Sequence, residues 1–309
     1  MVVTTRNRRE ELRRALRSCR EQVGVPFEVL VYDDASNDGT DSMVRAEFPE
    51  VRLFRRDVRA GLIVRRNESF RDARSDYVVS LDDDAFFTDS GTLRRIVELF
   101  EIWPQAAALA MPFVEPHASP SASFMPPLLG GGATMRNYIG CSHAIRRQVA
   151  LDLGGYPELL VHQGEERDLC IRLLENGWDI RFADTPPLVH YYSLKREPAR
   201  INYYGYRNTI LFYWMRGPFP ECLWAACKGT VALFLHKFTL ASVPTRVYAL
   251  SVGWLGAIRF WKARQPVSRS TWRRFYSLPS HGPLALTESE RQEHTHMAEV
   301  TSSDSPAAL

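Results

Sequence analysis

The first hundred residues alternate between short β-branched runs and longer stretches in which apolar residues recur with helical spacing. The runs that predict strands are Val2–Thr5, Phe27–Tyr32, Val51–Phe54 and Tyr77–Leu81. The stretches that predict helices, the third of them a helix or a turn, are Arg8–Val23, Asp41–Phe48, Asn67–Ala73 and Leu93–Trp103. This alternation predicts an α/β fold in which a mostly parallel sheet is sandwiched by helices.

Two of the predicted strands run directly into carboxylates. Asp33 and Asp34 follow the second strand, and Asp82, Asp83 and Asp84 follow the fourth. In open α/β sheets, ligands bind in the crevice at the carboxyl ends of the strands. We therefore expect both acidic clusters to face one binding crevice.

The triplet Asp82-Asp83-Asp84 is costly to fold unless something neutralises it. Two carboxylates about 4 Å apart repel by about 1 kcal/mol in water and by about 4 kcal/mol at an effective dielectric constant of 20. Carboxylate oxygens suit Mg²⁺ or Mn²⁺, which commonly bridge one or two carboxylates and substrate phosphates. The triplet therefore indicates a divalent-cation site, with a solvated turn or a helix cap as the alternative.

The segment from Asp33 to Thr40 predicts a tight turn between a strand and a helix. Ser36, Asn37, Asp38 and Gly39 are turn formers, and Asp38 or Thr40 can cap the next helix. Asp33, at the strand end, can accept a hydrogen bond from the N–H of a nucleotide base. A plain strand–turn–helix connection would explain the turn residues but not the two preceding carboxylates.

A series of motifs in this chain resembles, in order and spacing, those of the family 2 glycosyltransferases, including rhamnosyltransferases. The similarity covers roughly residues 1–195, and each motif is weak alone but the ordered series is specific. The matching segments are Thr4–Arg8, Asp33–Thr40, Arg59–Leu62 with Arg66-Asn67, Leu81–Asp84, Gly154–Glu158 and Gly164–Arg172. The resemblance implies a GT-A fold, a nucleotide-sugar donor, a divalent metal, and inversion at the anomeric carbon.

The resemblance also implies roles for particular residues. Asp84 and Asp82 would hold the metal, with Asp84 as the direct ligand, and His190 would be a further candidate ligand. Asp33 would contact the base. The residues expected around the rest of the nucleotide are Thr4, Arg6, Asp34, Arg66, Asp82 and Asp83. A lone histidine is more often structural, so that role is the alternative for His190.

By the same resemblance, Glu165 and Glu166 occupy the position of the acidic base of family 2 glycosyltransferases, where Glu-Asp is usual. An inverting transfer needs a general base to deprotonate the acceptor hydroxyl. We expect Glu166 to be this base, with Glu165 as the alternative, because both precede a helix predicted at Arg167–Asn176 whose N-terminus would keep them ionised. The competing interpretation is that both simply decorate a helix start.

The C-terminal part differs in composition from the rest. Between Leu194 and Ser280 there are 14 Lys or Arg and two acids, a net charge of +12 that leaves −9 for the remainder of a chain with net charge +3. Aromatic residues are dense over 201–262, which favours helices lying on an anionic membrane. The alternative is a helical pair packed on the catalytic domain or at a dimer interface. No nucleic-acid reader motif is present.

These observations predict a catalytic domain at 1–195, a basic aromatic helical region at 196–280 and a disordered tail at 281–309. Five scattered cysteines favour a reducing compartment, and no long apolar run predicts a spanning helix. We expect a cytoplasmic enzyme, peripheral on the inner face of the membrane, that acts on a glycan or lipid-linked acceptor. A nucleotidyltransferase and a non-catalytic nucleotide-sugar-binding module are the alternatives; the first would want a glycine-rich loop that Thr4–Arg8 lacks.

Overall fold

A computed structural model describes residues 1–116, 131–191, 197–236 and 239–282. Two predicted features fall largely outside these ranges. They are the mobile loop proposed within Pro112–Gly132 on account of its Pro, Ser and Gly content, and the disordered tail at 281–309.

The centre of the molecule is an eight-stranded sheet with the strand order β3-β2-β1-β4-β9-β6-β10-β8. Four of its seven neighbouring pairs are parallel, which confirms the mostly parallel sheet. A second sheet, β5-β11-β7, lies apart from it. The strands are β1 (Val2–Thr5), β2 (Leu30–Asp34), β3 (Arg52–Arg56), β4 (Tyr77–Asp82), β5 (Ala85–Phe86), β6 (Ala106–Ala110), β7 (Phe113–Val114), β8 (Thr134–Met135), β9 (Ser142–Arg146), β10 (Asp179–Phe182) and β11 (Leu188–His190).

Strand β1 lies between the two strands that end in carboxylates. Thr5 pairs with Asp33 of β2, and Thr4 pairs with Asp82 of β4, all three strands being parallel. The carboxyl ends of the three strands therefore meet at one edge of the sheet. The two acidic clusters therefore lie on neighbouring parts of this edge, as the expected shared crevice requires.

Helices cover both faces of the large sheet. Successive residues of a strand point to opposite faces, and Val2 and Val3 of β1 belong to separate buried clusters. Val3 packs with Leu12 and Leu93, and Val2 packs with Ile63. The helices of this part are α1 (Arg9–Arg20), α2 (Thr40–Glu47), α3 (Leu62–Asp72), α4 (Thr92–Ile102), α5 (Arg147–Asp152) and α6 (Glu165–Glu175).

Helix α3 begins five residues before the predicted Asn67. Its polar residues Arg65 and Arg66 are buried, so the apolar periodicity that reveals a surface helix is missing. Helix α6 also begins earlier than predicted, at Glu165. The acidic pair therefore forms the first turn of the helix rather than preceding it.

Four further helices follow the catalytic motifs. Helix α7 packs against both α8 and α9, and α10 packs on α6. Within the described residues, no helix is both long enough and apolar enough to cross a bilayer. The four are α7 (Pro198–Arg216), α8 (Glu221–Leu235), α9 (Val243–Arg259) and α10 (Arg269–Ser277).

Candidate active site

Asp82, Asp84 and His190 form a cluster at the end of β4. One potential ligand atom from each of them lies within 4.8 Å of the other two. The small sheet builds this cluster, because His190 of β11 pairs with Ala85 of β5, the residue after Asp84. The structure thus brings together the three residues named from the sequence as candidate metal ligands.

His190 is held on both sides of its ring by carboxylates. Nε2 lies 3.2 Å from Asp84 Oδ1, and Nδ1 lies 2.8 Å from Glu115 Oε1. Burial disfavours the imidazolium, but Cys141, Asp84 and Glu115 outweigh it and raise the pKa of His190 above its ordinary value. A divalent cation at this position would compete with that proton.

Arg8 ties the acidic triplet to the start of α1. Its Nη1 donates to Asp83 Oδ1 at 2.8 Å and to Asp84 Oδ2 at 3.0 Å. Burial, together with the neighbouring Asp84, raises the pKa of Asp83 to about 7, although Arg8 opposes this rise. Arg8 therefore compensates part of the negative charge of the triplet.

Arg66 joins the acidic triplet to the predicted base. Its guanidinium is buried, with Nη2 2.9 Å from Asp82 Oδ1 and Nη1 3.3 Å from Glu166 Oε1 and 3.5 Å from Glu165 Oε1. Nη2 also donates to the Gly140 carbonyl. A methyl group at Gly140 would collide with the ends of the Arg66 and Glu166 side chains, so a larger residue there would have to displace both of them.

The two glutamates of the pair have different surroundings. Glu165 is 2% exposed, and its Oε2 has no hydrogen-bond partner among the described residues. Burial and the nearby Glu166 raise the pKa of Glu165 to about 8. The side chain of Glu166 is 19% exposed. Burial therefore favours the protonated form of Glu165, and Glu166 is the more exposed member of the pair.

A strained loop precedes this pair. Val161 and Gln163 have φ values of 64° and 71°, in the left-handed region that costs a non-glycine residue of order 1–3 kcal/mol. The buried amide of Asn208, on α7, donates to the carbonyls of Leu160, His162 and Gln163 at 2.7–2.9 Å. A residue of the C-terminal helices thus holds the loop that leads into α6.

Replacing Asn208 should disturb the acidic pair more than the rest of the fold. We expect Asn208→Ala to destabilise the protein by about 1–3 kcal/mol, because one buried and two partly buried carbonyls lose their donor. Transfer activity should fall further than this loss of stability explains, with kcat rather than KM affected. Thermal unfolding and steady-state kinetics measure the two effects.

Asn208→Asp is a sharper test, because aspartate keeps the shape of the side chain but places an acceptor, in place of the amide donor, against the three carbonyls. It should be at least as damaging as alanine. Asn202, exposed on the same helix, provides the control substitution Asn202→Ala, which should change neither property. Equal kcat in wild type and Asn208→Ala would contradict the assigned positioning role.

The remaining predicted nucleotide contacts lie at the ends of β1 and β2. Among the described residues, the buried Thr4 hydroxyl has no hydrogen-bond partner, and Arg6 is exposed. Asp33 Oδ2 lies 2.9 Å from Arg55, and its Oδ1 accepts from the Ser36 backbone.

Both oxygens of Asp34 are occupied within the protein. They accept from the backbone of Ala60 and Gly61 and from Arg65 Nε. These contacts fix the start of α3. Asp34 therefore shapes the crevice wall, and its predicted contact with a nucleotide remains untested.

Sequence reasoning did not single out several residues of this site. Arg8 lies inside the Thr4–Arg8 motif, and its position just after the first strand could have identified it. No sequence pattern indicated Glu115, because it belongs to a stretch rich in Pro, Ser and Gly. It reaches His190 only through the pairing of β7 with β11.

Several known proteins are similar to this chain in sequence. Residues 1–122 match the model of Glycosyl transferase family 2. An N-acetylglucosaminyl-diphospho-decaprenol L-rhamnosyltransferase of Mycobacterium tuberculosis is 25% identical over an alignment 291 residues long. The alignment covers 79% of this chain and 93% of that protein. The succinoglycan biosynthesis protein ExoO of Rhizobium meliloti is 38% identical over 99 residues, which span 31% of this chain and 28% of that protein.

Solved structures share the fold. TarS residues 1–349 of S. aureus superimposes with a TM-score of 0.61 at 17% identity, covering 83% of this chain and 79% of that one. The mannosyltransferase PcManGT of Pyrobaculum calidifontis, solved with GDP-Man and Mn²⁺, gives a TM-score of 0.55 at 20% identity over 97% and 84% of the two chains. Residues 1–122 thus form a domain of Glycosyl transferase family 2, and the chain as a whole has the GT-A fold of a glycosyltransferase.

Proposed function

We propose that this enzyme is metal-dependent and inverting, and that it moves a sugar from a nucleotide diphosphate to a hydroxyl of a glycan or lipid-linked acceptor. The observation that carries the proposal is the position of Arg66. Its guanidinium contacts Asp82 on one side and Glu166 on the other. A donor diphosphate at the triplet and an acceptor hydroxyl at the glutamates would then be neighbours.

The cluster of Asp82, Asp84 and His190 fits Mg²⁺ or Mn²⁺. Two carboxylates and an imidazole within 4.8 Å supply oxygen and nitrogen donors of the type these ions accept. When bound, the cation would stabilise negative charge on the leaving diphosphate. Glu115 would orient His190 through Nδ1, as carboxylates commonly do for histidine ligands.

The chain's own residues would bind the donor and move the proton. Thr4, Arg6 and Asp33, at the ends of β1 and β2, would contact the nucleoside, with Asp33 on the base. Asp83, within the triplet, and Arg66 would lie beside the diphosphate. There Arg66 can donate to a phosphate oxygen in place of Asp82. Glu166 would accept the proton of the acceptor hydroxyl as that oxygen attacks the anomeric carbon.

The relatives narrow the choice of substrates. TarS has been solved with UDP and with UDP-GlcNAc, and PcManGT with GDP-Man. The mycobacterial relative is a rhamnosyltransferase named for a decaprenol-linked substrate. We propose a hexosyl or rhamnosyl donor and a role in cell-envelope glycan synthesis. We also propose that the enzyme is cytoplasmic and peripheral on the inner face of the membrane, where it would meet a lipid-linked acceptor.

Metal-dependent thermal stabilisation by nucleotide sugars tests the proposal. At a free ligand concentration 100 times Kd, binding stabilises the folded state by about 2.7 kcal/mol, enough to raise Tm by a few degrees. We expect UDP-, dTDP- or GDP-sugars to raise Tm with Mn²⁺ or Mg²⁺ and much less with EDTA. Stabilisation by nucleoside triphosphates alone would favour a nucleotidyltransferase. Stabilisation without any turnover would favour a binding module.

A further inference from the structure

Helices α8 and α9 turn their small residues inward. Cys222, Ala226 and Gly229 are the buried residues of α8. At Gly229 a Cβ would meet the ring of Tyr213 on α7, so this ring packs directly against the backbone of α8. Helix α9 likewise buries Gly256 against α7, so its inner side also offers few large side chains.

The large apolar side chains of the two helices point outward. We call these residues the outer apolar face. Its members are Trp224, Val231 and Leu235 of α8, Leu255 and Ile258 of α9, and Trp261 just beyond α9, each 59–74% exposed. Helices on the surface of a soluble domain normally carry the opposite distribution. Exposed apolar surface of this extent marks a binding surface.

The outer apolar face is carried by an antiparallel helix pair. Arg246 of α9 donates to the carbonyls of Leu233 and Phe234 near the turn between the helices. At the other end, Arg264 reaches the sulfur of Cys222. Trp224 and Trp261 therefore lie at the same end of the pair.

Apart from Glu221, which pairs with Arg269, the charges of this region are of one sign. Residues 222–280 contain nine Lys or Arg and no Asp or Glu. Lys228, Arg259 and Lys262 are exposed beside the apolar residues. A second copy seated on this face would bring these cations together with no acid in that region to pair them. Anionic lipid headgroups would supply the missing counter-charge.

We propose that the outer apolar face docks on an anionic lipid surface, with its two tryptophans at headgroup level and Lys228, Arg259 and Lys262 against lipid phosphates. Basic, aromatic helices bind membranes in this way without crossing them. The face itself does not depend on the transfer reaction. Only the biological reason for docking rests on the proposed lipid-linked acceptor.

Vesicle co-sedimentation of the full chain tests this docking. We expect binding to phosphatidylcholine vesicles that contain about one third phosphatidylglycerol, and about tenfold weaker binding to phosphatidylcholine alone. The double substitution Trp224→Ser/Trp261→Ser should weaken binding to the anionic vesicles about tenfold or more. Lys228→Gln/Lys262→Gln should remove most of the preference for anionic lipid.

Val58→Ser/Ile102→Ser is the matched control, because these residues are similarly exposed but lie outside the face. Its vesicle binding should equal that of wild type. The docking is wrong if wild type stays in the supernatant, or if the tryptophan variant sediments as wild type does. A dimer in light scattering that the tryptophan substitutions dissociate, without vesicle binding, would assign the face to a second copy instead.

Transfer to a water-soluble acceptor separates this inference from the proposed function. The tryptophan variant should retain that activity, since neither residue contacts the candidate active site. Vesicle binding without transfer by wild type would overturn the proposed function alone. Transfer without vesicle binding would overturn the docking alone.

Discussion

Replacing Glu166 by glutamine is expected to lower the rate of sugar transfer by about 10²- to 10⁴-fold, the usual contribution of a general base. Glutamine keeps the size of the side chain and can still accept a hydrogen bond from Arg66. It cannot take the proton of the acceptor hydroxyl. Donor binding should therefore persist, and single-turnover kinetics with saturating donor should show the whole loss in the chemical step.

Glu165→Gln is the matched control for this experiment. Because burial raises the pKa of Glu165 to about 8, we expect the folded protein to favour its neutral acid near pH 7. Glutamine resembles that neutral acid, so activity below pH 8 should stay close to that of wild type. Full activity in Glu166→Gln with a dead Glu165→Gln would reverse the assignment. If neither substitution matters, the base lies elsewhere.

Replacing Asp84 by asparagine should abolish metal-dependent donor binding. The side chain is buried and contacts both Arg8 and His190, so no other carboxylate can take its place without rearrangement. Loss of a partner that only orients a ligand costs roughly 10- to 100-fold in metal affinity, and loss of the ligand itself should exceed that. Calorimetric titration with Mn²⁺, with and without donor nucleotide, measures the effect.

Glu115→Gln gives the graded comparison for Asp84→Asn. It should weaken Mn²⁺ binding by roughly 10- to 100-fold, because glutamine is a poorer acceptor for the His190 ring N–H. Asp184→Asn, at a side chain that is 73% exposed, should change nothing. Unchanged Mn²⁺ affinity in Asp84→Asn would show that the cation binds at a different place.

The sequence predicted the sheet and its acidic edge because those signals are local. Each run that ends in Asp33-Asp34 or Asp82-Asp83-Asp84 is β-branched and apolar, and parallel strands bring their carboxyl ends together. Helix α3 was harder to predict because Arg65 and Arg66 are polar yet buried. The folded structure shows that Asp34 pairs with Arg65 and that Asp82 pairs with Arg66. These ion pairs explain the burial of both arginines.

The contacts that sequence reasoning missed join segments far apart in the chain. His190 meets Asp84 because two-residue β5 pairs with three-residue β11, and strands so short leave no periodic pattern. Asn208 reaches its loop across more than 40 residues, from a helix whose composition indicated only aromatic and basic character. Such pairings depend on tertiary packing, so single-sequence patterns do not contain them.

The anchoring of the loop at 160–163 by Asn208 bears on how far this protein can be shortened. Arg216, also on α7, pairs with the buried Asp168 of α6. A chain ending near residue 195 would lose both supports, so we expect a minimal active fragment to extend through α7 at least. Helix α7 is thereby part of the scaffold of the acidic pair, and a truncation that removes it to improve solubility would sacrifice turnover.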